Sequence, residues 1–238
     1  MKTLKFEDKS DWKSYREGKI TGSILDDVFS VKEITIAEIK EALDTAKIEY
    51  KKSASRAELL ALLPETPQAK LTKKLEFYRL LAHKIAVPEE GDEDPMERGS
   101  RLEAEALEKF STVIGAPISN ELVMWVSDKN DSLAYSPDGV IDETEVVETK
   151  CLSSAEHLFI YYEKEIPTKY EKQNLQAFIV NDNLQTLHFV CYDPRIPALP
   201  IHSITIKRED IADRIALYKQ YEMQLMEELN RMAEELTF

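Results

Sequence analysis

Apolar positions recur at helical spacing through most of the first half of the chain. Residues Asp11 to about Glu17 predict a short helix that Gly18 stops. In ITIAEIKEALDTAKIEYKKSASRAELLALLP, Ile34–Pro64, two helices are predicted. Thr35-Ile-Ala-Glu38 has the capping-box pattern, with Ile36, Ile39, Leu43 and Ala46 behind it. Ser55-Arg-Ala-Glu58 repeats the box, followed by Leu59, Leu60, Leu62 and Leu63, and Pro64 ends the run. A short extended piece, IEYKKSA, joins the two. After a linker-like TPQ, AKLTKKLEFYRLLAHKIA predicts a helix with Leu71, Leu75, Tyr78, Leu81 and Ala82 on its apolar face. A polar acidic loop, Pro88–Pro95, precedes MERGSRLEAEALEKFSTVIG, an amphipathic helix ending near Gly115 with Leu102, Ala106 and Phe110 as its buried stripe.

The second half mixes periods. ELVMWVS and VIDETEVVETK read as strands, the latter as two short strands around the turn Asp142-Glu143-Thr144. SAEHLFIYYEK and PTKYEKQNLQAFIVND predict helices, whereas LQTLHFVCYD and IHSITIKRE alternate as strands. From Glu209 onward a long amphipathic helix is predicted to cover the sheet, with Ile211, Ile215, Tyr218 and Leu225 on one face and Leu229 and Met232 near its end. This order predicts an α/β fold, a central mixed sheet flanked by helices, spanning residues 1–238 with residues 34–64 as a small helical insert.

With 238 residues, 43% of them hydrophobic, the chain has material for one sizeable core. A net charge of −14 disfavours a nucleic-acid partner until its distribution is considered. Residues 1–80 carry 16 Lys and Arg against 14 Asp and Glu, while residues 81–238 carry 15 against 31. Any phosphate-gripping surface therefore belongs to the first third; an acidic protein with a neutral front fits the same count. Two cysteines make no disulfide framework, no apolar run approaches the roughly 20 residues of a membrane span, and the start has no signal-peptide core. A reduced, cytoplasmic protein is expected. The four histidines have no zinc-ligand spacing, and no Gly-rich phosphate loop is present for ATP-driven movement.

Candidate chemistry centres on SPDGVIDETEVVETK, Ser136–Lys150. Alternation along a strand puts Val146, Glu148 and Lys150 on one face and Val147, Thr149 and Cys151 on the other. Asp138, at the mouth of the preceding strand, is within reach of the same spot. Glu-x-Lys also occurs at Glu38–Lys40 and Glu49–Lys51, so only the copy at Glu148, in strand context after Asp-Gly, carries information. Two readings compete, a solvated charge pair and a metal site. In the second, Asp138, Glu148 and the Thr149 carbonyl are hard oxygen ligands suited to Mg²⁺, or to Mn²⁺, and Lys150 orients a water. Glu103, after the buried Leu102, is the candidate ligand of a second ion, against its reading as a surface acid. Gln173, at i+3 from Tyr170, is positioned to hold a water or phosphate oxygen, with Gln176 one step further.

The ordered set DWKSYREGKITGS, RGSRLEAEALEKF, SPDGVIDETEVVETKC, KYEKQNLQ and CYDPR resembles the phage lambda exonuclease and YqaJ-like viral recombinase nuclease family, of the PD-(D/E)xK superfamily. The resemblance implies a Mg²⁺-dependent 5′→3′ exonuclease acting on double-stranded DNA ends. It further implies two metal ions, a ring-shaped homotrimer, and a single-strand annealing recombinase that receives the exposed 3′ strand. By motif, Asp138, Glu148 and Lys150 resemble the catalytic set, Glu103 the helix-borne acid, and Gln173 and Tyr170 the active-site helix positions. Trp12, Arg16, Ile20, Thr21 and Ser23 match the WxxxR…ITxS signature, in which Arg16 and Ser23 would bind the 5′-terminal phosphate and Trp12 is expected to pack in the core. Cys151 is followed by Leu152 where the family often has Pro.

The insert lies outside that pattern. Its helix-extended-helix layout resembles SAP-like modules, which implies phosphate contacts from Lys47, Lys51, Lys52 and Arg56; a helical hairpin that only packs is the alternative. Two rival functions remain at this stage: an endonuclease or resolvase of the same superfamily, and a catalytically silent DNA-binding accessory protein.

Overall fold

Local hydrogen bonding shapes the first of two compact units, Met1–Lys84 and Ile85–Phe238. The computed structural model describes residues 4, 6–32, 34–64, 70–87 and 94–236. In the first unit, helix α1 (Lys9–Arg16) is capped by Asp8, whose side chain accepts the Ser10 N–H. It ends before Gly18, whose φ of +67° is open to glycine at little cost. A short helix α2 (Leu25–Val28) leads into strand β1 (Phe29–Lys32), which pairs antiparallel with β2 (Lys70–Lys73), Lys32 opposite Lys70. The ribbon brings the two ends of the Ile34–Pro64 segment together. The helical spacing that places Leu71 and Leu75 on one apolar face does not hold here: residues 70–73 are strand, Leu71 is 55% exposed and only Tyr78 and Ala82 of α5 (Leu75–Ile85) are buried. The TPQ linker lies outside the described residues.

Between the ribbon strands, α3 (Ile36–Thr45) and α4 (Arg56–Leu62) start from complete capping boxes. Glu38 accepts the Thr35 N–H at 2.7 Å, and Glu58 accepts that of Ser55 at 2.7 Å. Ile39, Leu43 and Leu59 form a small dry core. Ile36 and Leu62, expected on the apolar faces, are exposed, because three interior positions already fill so short a pair.

In the second unit, α6 (Pro95–Ile114) lies on one face of a four-stranded sheet. The sheet runs β5 (Gly139–Asp142), β6 (Glu145–Lys150), β7 (Thr186–Tyr192) and β8 (Ile201–Lys207), with β6 and β7 parallel and the outer pairs antiparallel. It is the expected central mixed sheet flanked by helices. Alternation divides its faces: Val147 and Val190 pack on Leu107 and Phe110 of α6, while Val146, Leu187 and Phe189 pack on Leu175 and Phe178 of α8 (Thr168–Val180) and Ile215 of α9 (Ala212–Leu236). Leu102, Ala106 and Phe110 are buried, as the spacing predicts, each large one contributing about 1.5–3 kcal/mol. Helix α7 (Ser154–Glu163) and α8 make the crossover from β6 to β7.

A separate hairpin, β3 (Trp125–Ser127) with β4 (Asn130–Tyr135), packs beside α8. β4 was not legible as a strand, since Asp-Ser interrupts its apolar pattern. α9 covers the core only through Ile215, with Ile211 and Tyr218 beside it; Leu225 (68%), Leu229 and Met232 are exposed, contrary to the single covering face expected. The acidic loop Pro88–Pro95 lies largely outside the described residues. Among those described, no helix is long and apolar enough to cross a membrane.

The rings of His157 on α7 and His202 on β8 lie 4.4 Å apart, tilted by 60°, and each nitrogen bond goes to a main-chain carbonyl: His157 to Leu199, His202 to His157. Burial, then the neighbouring imidazole, depress His202 to about 4. The unfolded chain therefore binds protons first as pH falls from 6.5, and stability is lost between that value and about 4. His202→Gln is expected to flatten the fall in urea midpoint across this window while leaving the pH 8 value nearly unchanged.

Candidate active site

The site forms where β5 and β6 end beside α6 and α8. Gly139 sits at a close approach: a Cβ there would lie 2.7 Å from the Ile118 side chain and 2.8 Å from that of Leu107, so any larger residue would have to displace them. That close approach seats β5 under α6 and brings Asp138 to the end of β6. Asp138 Oδ2 accepts the Thr149 N–H at 2.7 Å and the Thr149 hydroxyl at 3.0 Å. One residue earlier on β6, Glu148 is fully buried. Its Oε1 accepts from Lys150 Nζ at 2.5 Å and from the Gln173 side-chain amide; its Oε2 accepts the Tyr135 hydroxyl at 2.6 Å.

Each donor arrives for a local reason. Lys150 shares Glu148's face two residues on. Gln173 sits one turn along α8 from Tyr170. The Tyr170 ring packs on Phe189 at 5.5 Å and lies 5.5 Å from Lys150 Nζ, so it walls the lysine. Tyr135 ends β4. Sequence reasoning found Glu148, Lys150, Gln173 and Tyr170 but missed Tyr135, since nothing in periodicity couples that hairpin to β6.

Glu103, on α6, completes the cluster electrostatically. Its carboxyl is raised by burial first, then by the charges of Asp138 and Glu148, with Lys150 opposing. Glu148 is raised as well, by burial above all, with Asp138 adding and Lys150 opposing. Three carboxylates within repulsive range of one another are the arrangement a cation relieves, and all offer hard oxygens. Among the described residues no three His, Cys, Asp or Glu side chains already converge as a metal-binding group. Both Glu148 oxygens and Asp138 Oδ2 are held by neighbouring donors. The residues fit a divalent ion in chemistry, with Lys150 and Gln173 as the groups that must yield Oε1.

A second buried network frames the first. Asp193, just after β7, accepts from Arg98 Nη2 (3.1 Å), Arg195 Nε (2.8 Å) and Ser154 Oγ (2.5 Å). Burial pushes its carboxyl up, but the bonds from Arg195 and Ser154 hold it below the usual range. Arg98 also donates to the Cys151 carbonyl (3.2 Å), and Arg195 to that of Leu152 (3.1 Å). The chain leaving Lys150 is thus tied to α6, α7 and β7 through main-chain carbonyls, which a Leu at position 152 supplies as well as a Pro would.

Within the first unit, Arg16 Nη2 donates to Ser23 Oγ (2.6 Å) and Thr21 Oγ1 (3.1 Å), and its guanidinium stacks on Trp12 at 4.4 Å. Trp12 is 40% exposed, so its role is to hold the arginine and not to fill the core. Arg16 and Thr21 line a cleft of about 380 Å³ together with Lys13, Lys19, Arg79 and His83. In the insert, Lys47, Lys51 and Lys52 are exposed, while Arg56 donates from Nε and Nη2 to the Ile34 carbonyl at 3.3 Å each.

A mixed sheet carrying Pro137-Asp138 and Glu148-Thr149-Lys150 at adjoining strand ends, with an acid from a packed helix, defines the class as PD-(D/E)xK-like. Residues 11–182 match the YqaJ-like viral recombinase domain, and the chain belongs to that family. No curated protein matches it. Among solved structures it is similar to an alkaline exonuclease (LHK-Exo) from Laribacter hongkongensis, at 20% identity and TM-score 0.48 over 96% of this chain and 100% of that one. LHK-Exo in complex with dAMP gives 20% and 0.47 over 96% and 100%. A phage-related exonuclease from Haemophilus somnus 129PT gives 14% and 0.35 over 84% and 97%. At these scores the family assignment rests on the domain match alone.

Asp193→Ala would leave Arg98 and Arg195 facing each other without their shared carboxylate. The expected loss is about 3–5 kcal/mol, read as a lower urea midpoint.

Proposed function

We propose that the protein is a Mg²⁺-dependent 5′→3′ exonuclease of double-stranded DNA ends in a phage-type recombination system, active in the host cytoplasm as a ring-shaped homotrimer. It would leave a 3′ single strand for an annealing recombinase. The observation that carries this reading is the hydrogen bonding of buried Glu148 to Lys150 and Gln173 beside the Asp138–Thr149 pair, with Glu103 within electrostatic range of both carboxylates. Membership of a viral recombinase family supports it.

Asp138, Glu148, Glu103 and the Thr149 carbonyl would hold one or two Mg²⁺ ions, with Mn²⁺ as a substitute. A divalent ion bound there supplies charge neutralisation of the phosphate and a water that deprotonates near neutral pH. Lys150, held against the Tyr170 ring, orients the attacking water by hydrogen bonding. Gln173 passes its amide between Glu148 and a phosphate oxygen. Arg16 and Ser23 offer a permanently charged fork and a hydroxyl to a 5′-terminal phosphate, with Trp12 holding the fork flat. That cradle favours the exonuclease over an endonuclease, which has no use for a terminal phosphate. Lys47, Lys51 and Lys52 of the insert would grip the duplex backbone, Arg56 being engaged by Ile34.

The test is linear duplex DNA with one 5′ end phosphorylated and the other blocked, incubated with Mg²⁺ and sequenced after partial digestion. Stepwise loss of the phosphorylated strand is expected, reduced about 10²–10⁴-fold by Lys150→Ala. Internal cuts would transfer the protein to the endonucleases, and binding without cleavage would make it an accessory DNA-binding protein. Replacing Lys47, Lys51 and Lys52 by Ala should lower the salt dependence of duplex binding, measured by fluorescence anisotropy, by roughly 0.9 per lysine that contacts phosphate.

A further inference from the structure

The two oxygens of Glu148 have different surroundings. Oε1 meets Lys150 and Gln173, polar groups less buried than Glu148 itself. Among the described residues, Oε2 meets the Tyr135 hydroxyl alone, 2.6 Å away in the buried core. Tyr135 is 6% exposed and has little room to turn: it pairs with Trp125 across the β3–β4 hairpin, with ring centroids 6.1 Å apart. Trp125 and Leu133 pack in the same apolar cluster as Phe178 and Ile179 of α8. The hairpin also sets the approach to Asp138. Only Ser136 and Pro137 separate Tyr135 from that carboxylate, Ser136 donates to the Val123 carbonyl at 2.7 Å, and Pro137 is buried with its φ fixed by the ring.

We propose that Tyr135 is a positioning residue, braced by Trp125, whose hydroxyl occupies Glu148 Oε2 so that Oε1 alone is presented, as a one-oxygen ligand, on the side of Lys150 and Gln173. The inference rests on the metal-dependent reading above. It adds to that reading an element outside the PD…ExK segment, the β3–β4 hairpin, as the part that decides how many oxygens Glu148 offers. A carboxylate free to rotate would present either or both oxygens, and its ligand geometry would blur. Neither Tyr135 nor Trp125 would touch substrate.

Tyr135→Phe keeps the ring and removes only the donor. Mn²⁺ binding, followed by electron paramagnetic resonance without DNA, should weaken about 10–100-fold. In Mg²⁺-supported cleavage, kcat should fall while KM for duplex ends stays within about two-fold. A purely structural tyrosine would lower the melting temperature and leave Mn²⁺ affinity and kcat within about two-fold, and that result would overturn the proposal. Trp125→Leu, which loosens the ring but keeps the hydroxyl, serves if Tyr135→Phe does not fold. It should weaken Mn²⁺ binding several-fold in the same direction, and unchanged affinity there overturns the brace. A native chain that neither binds Mn²⁺ nor cleaves DNA would instead overturn the exonuclease reading itself.

Discussion

A carboxylate with no exposure to water governs this structure. Burying the charge of Glu148 without donors would be prohibitive, and its carboxyl is already displaced upward by that burial. Three donors offset the cost, and each comes from a different element: Lys150 from β6 itself, Gln173 from α8, Tyr135 from the β3–β4 hairpin. The register of β6, the seating of α8 and the presence of the hairpin are therefore not independent features. A slip of one residue in β6 would put Val147 where Glu148 stands and place a charge against Leu107 and Phe110.

The same alternation explains why the acids come from opposite directions. Val146 and Glu148 face α8, and Val147 and Thr149 face α6. Glu103 can join the cluster only because the sheet ends there, so that a side chain from α6 comes within electrostatic range of Asp138 and Glu148 across the strand ends. Asp138, bonded to Thr149, lies between the two faces. A cluster set at a strand end is half dry and half accessible. That suits it to raising carboxyl pKa values while admitting a large substrate.

What the sequence disclosed follows from how local each constraint is. The capping boxes at Thr35 and Ser55, the stripe Leu102–Ala106–Phe110 and the turn at Asp142 depend on neighbours a few residues away, and all are legible. So was the Glu148–Lys150 pair, once strand context was required of it. The β1–β2 ribbon was not: its strands are about forty residues apart in sequence, four residues each, and bury little, so Leu71 was mistaken for part of a helix. Tyr135, and the bonding that joins Arg98 and Arg195 to Asp193 across the RGSR and CYDPR stretches, were not legible for a related reason. A single polar group carries no pairing signal until its partner, 13 or 95 residues away, is known. Trp12 fails differently, since an aromatic beside an arginine is core by composition and a stacking platform by geometry.

Charge distribution sets the division of labour between the two units. The acidic excess lies beyond residue 80, in the unit that holds the carboxylate cluster, whereas the first third carries a slight basic surplus. A polyanionic substrate is repelled by such a cluster unless something else holds it, because the acids that suit a cation also repel a phosphodiester. In the first unit four of the negative groups are engaged locally. Glu38 and Glu58 close capping boxes, Asp8 caps α1, and Asp44 accepts from Tyr50. Arg16 and the lysines of the insert keep their charge at the surface. On the proposed exonuclease reading, separating the grip from the chemistry in this way would let one acidic chain carry both, the first unit supplying attraction and the buried carboxylate of the second the site.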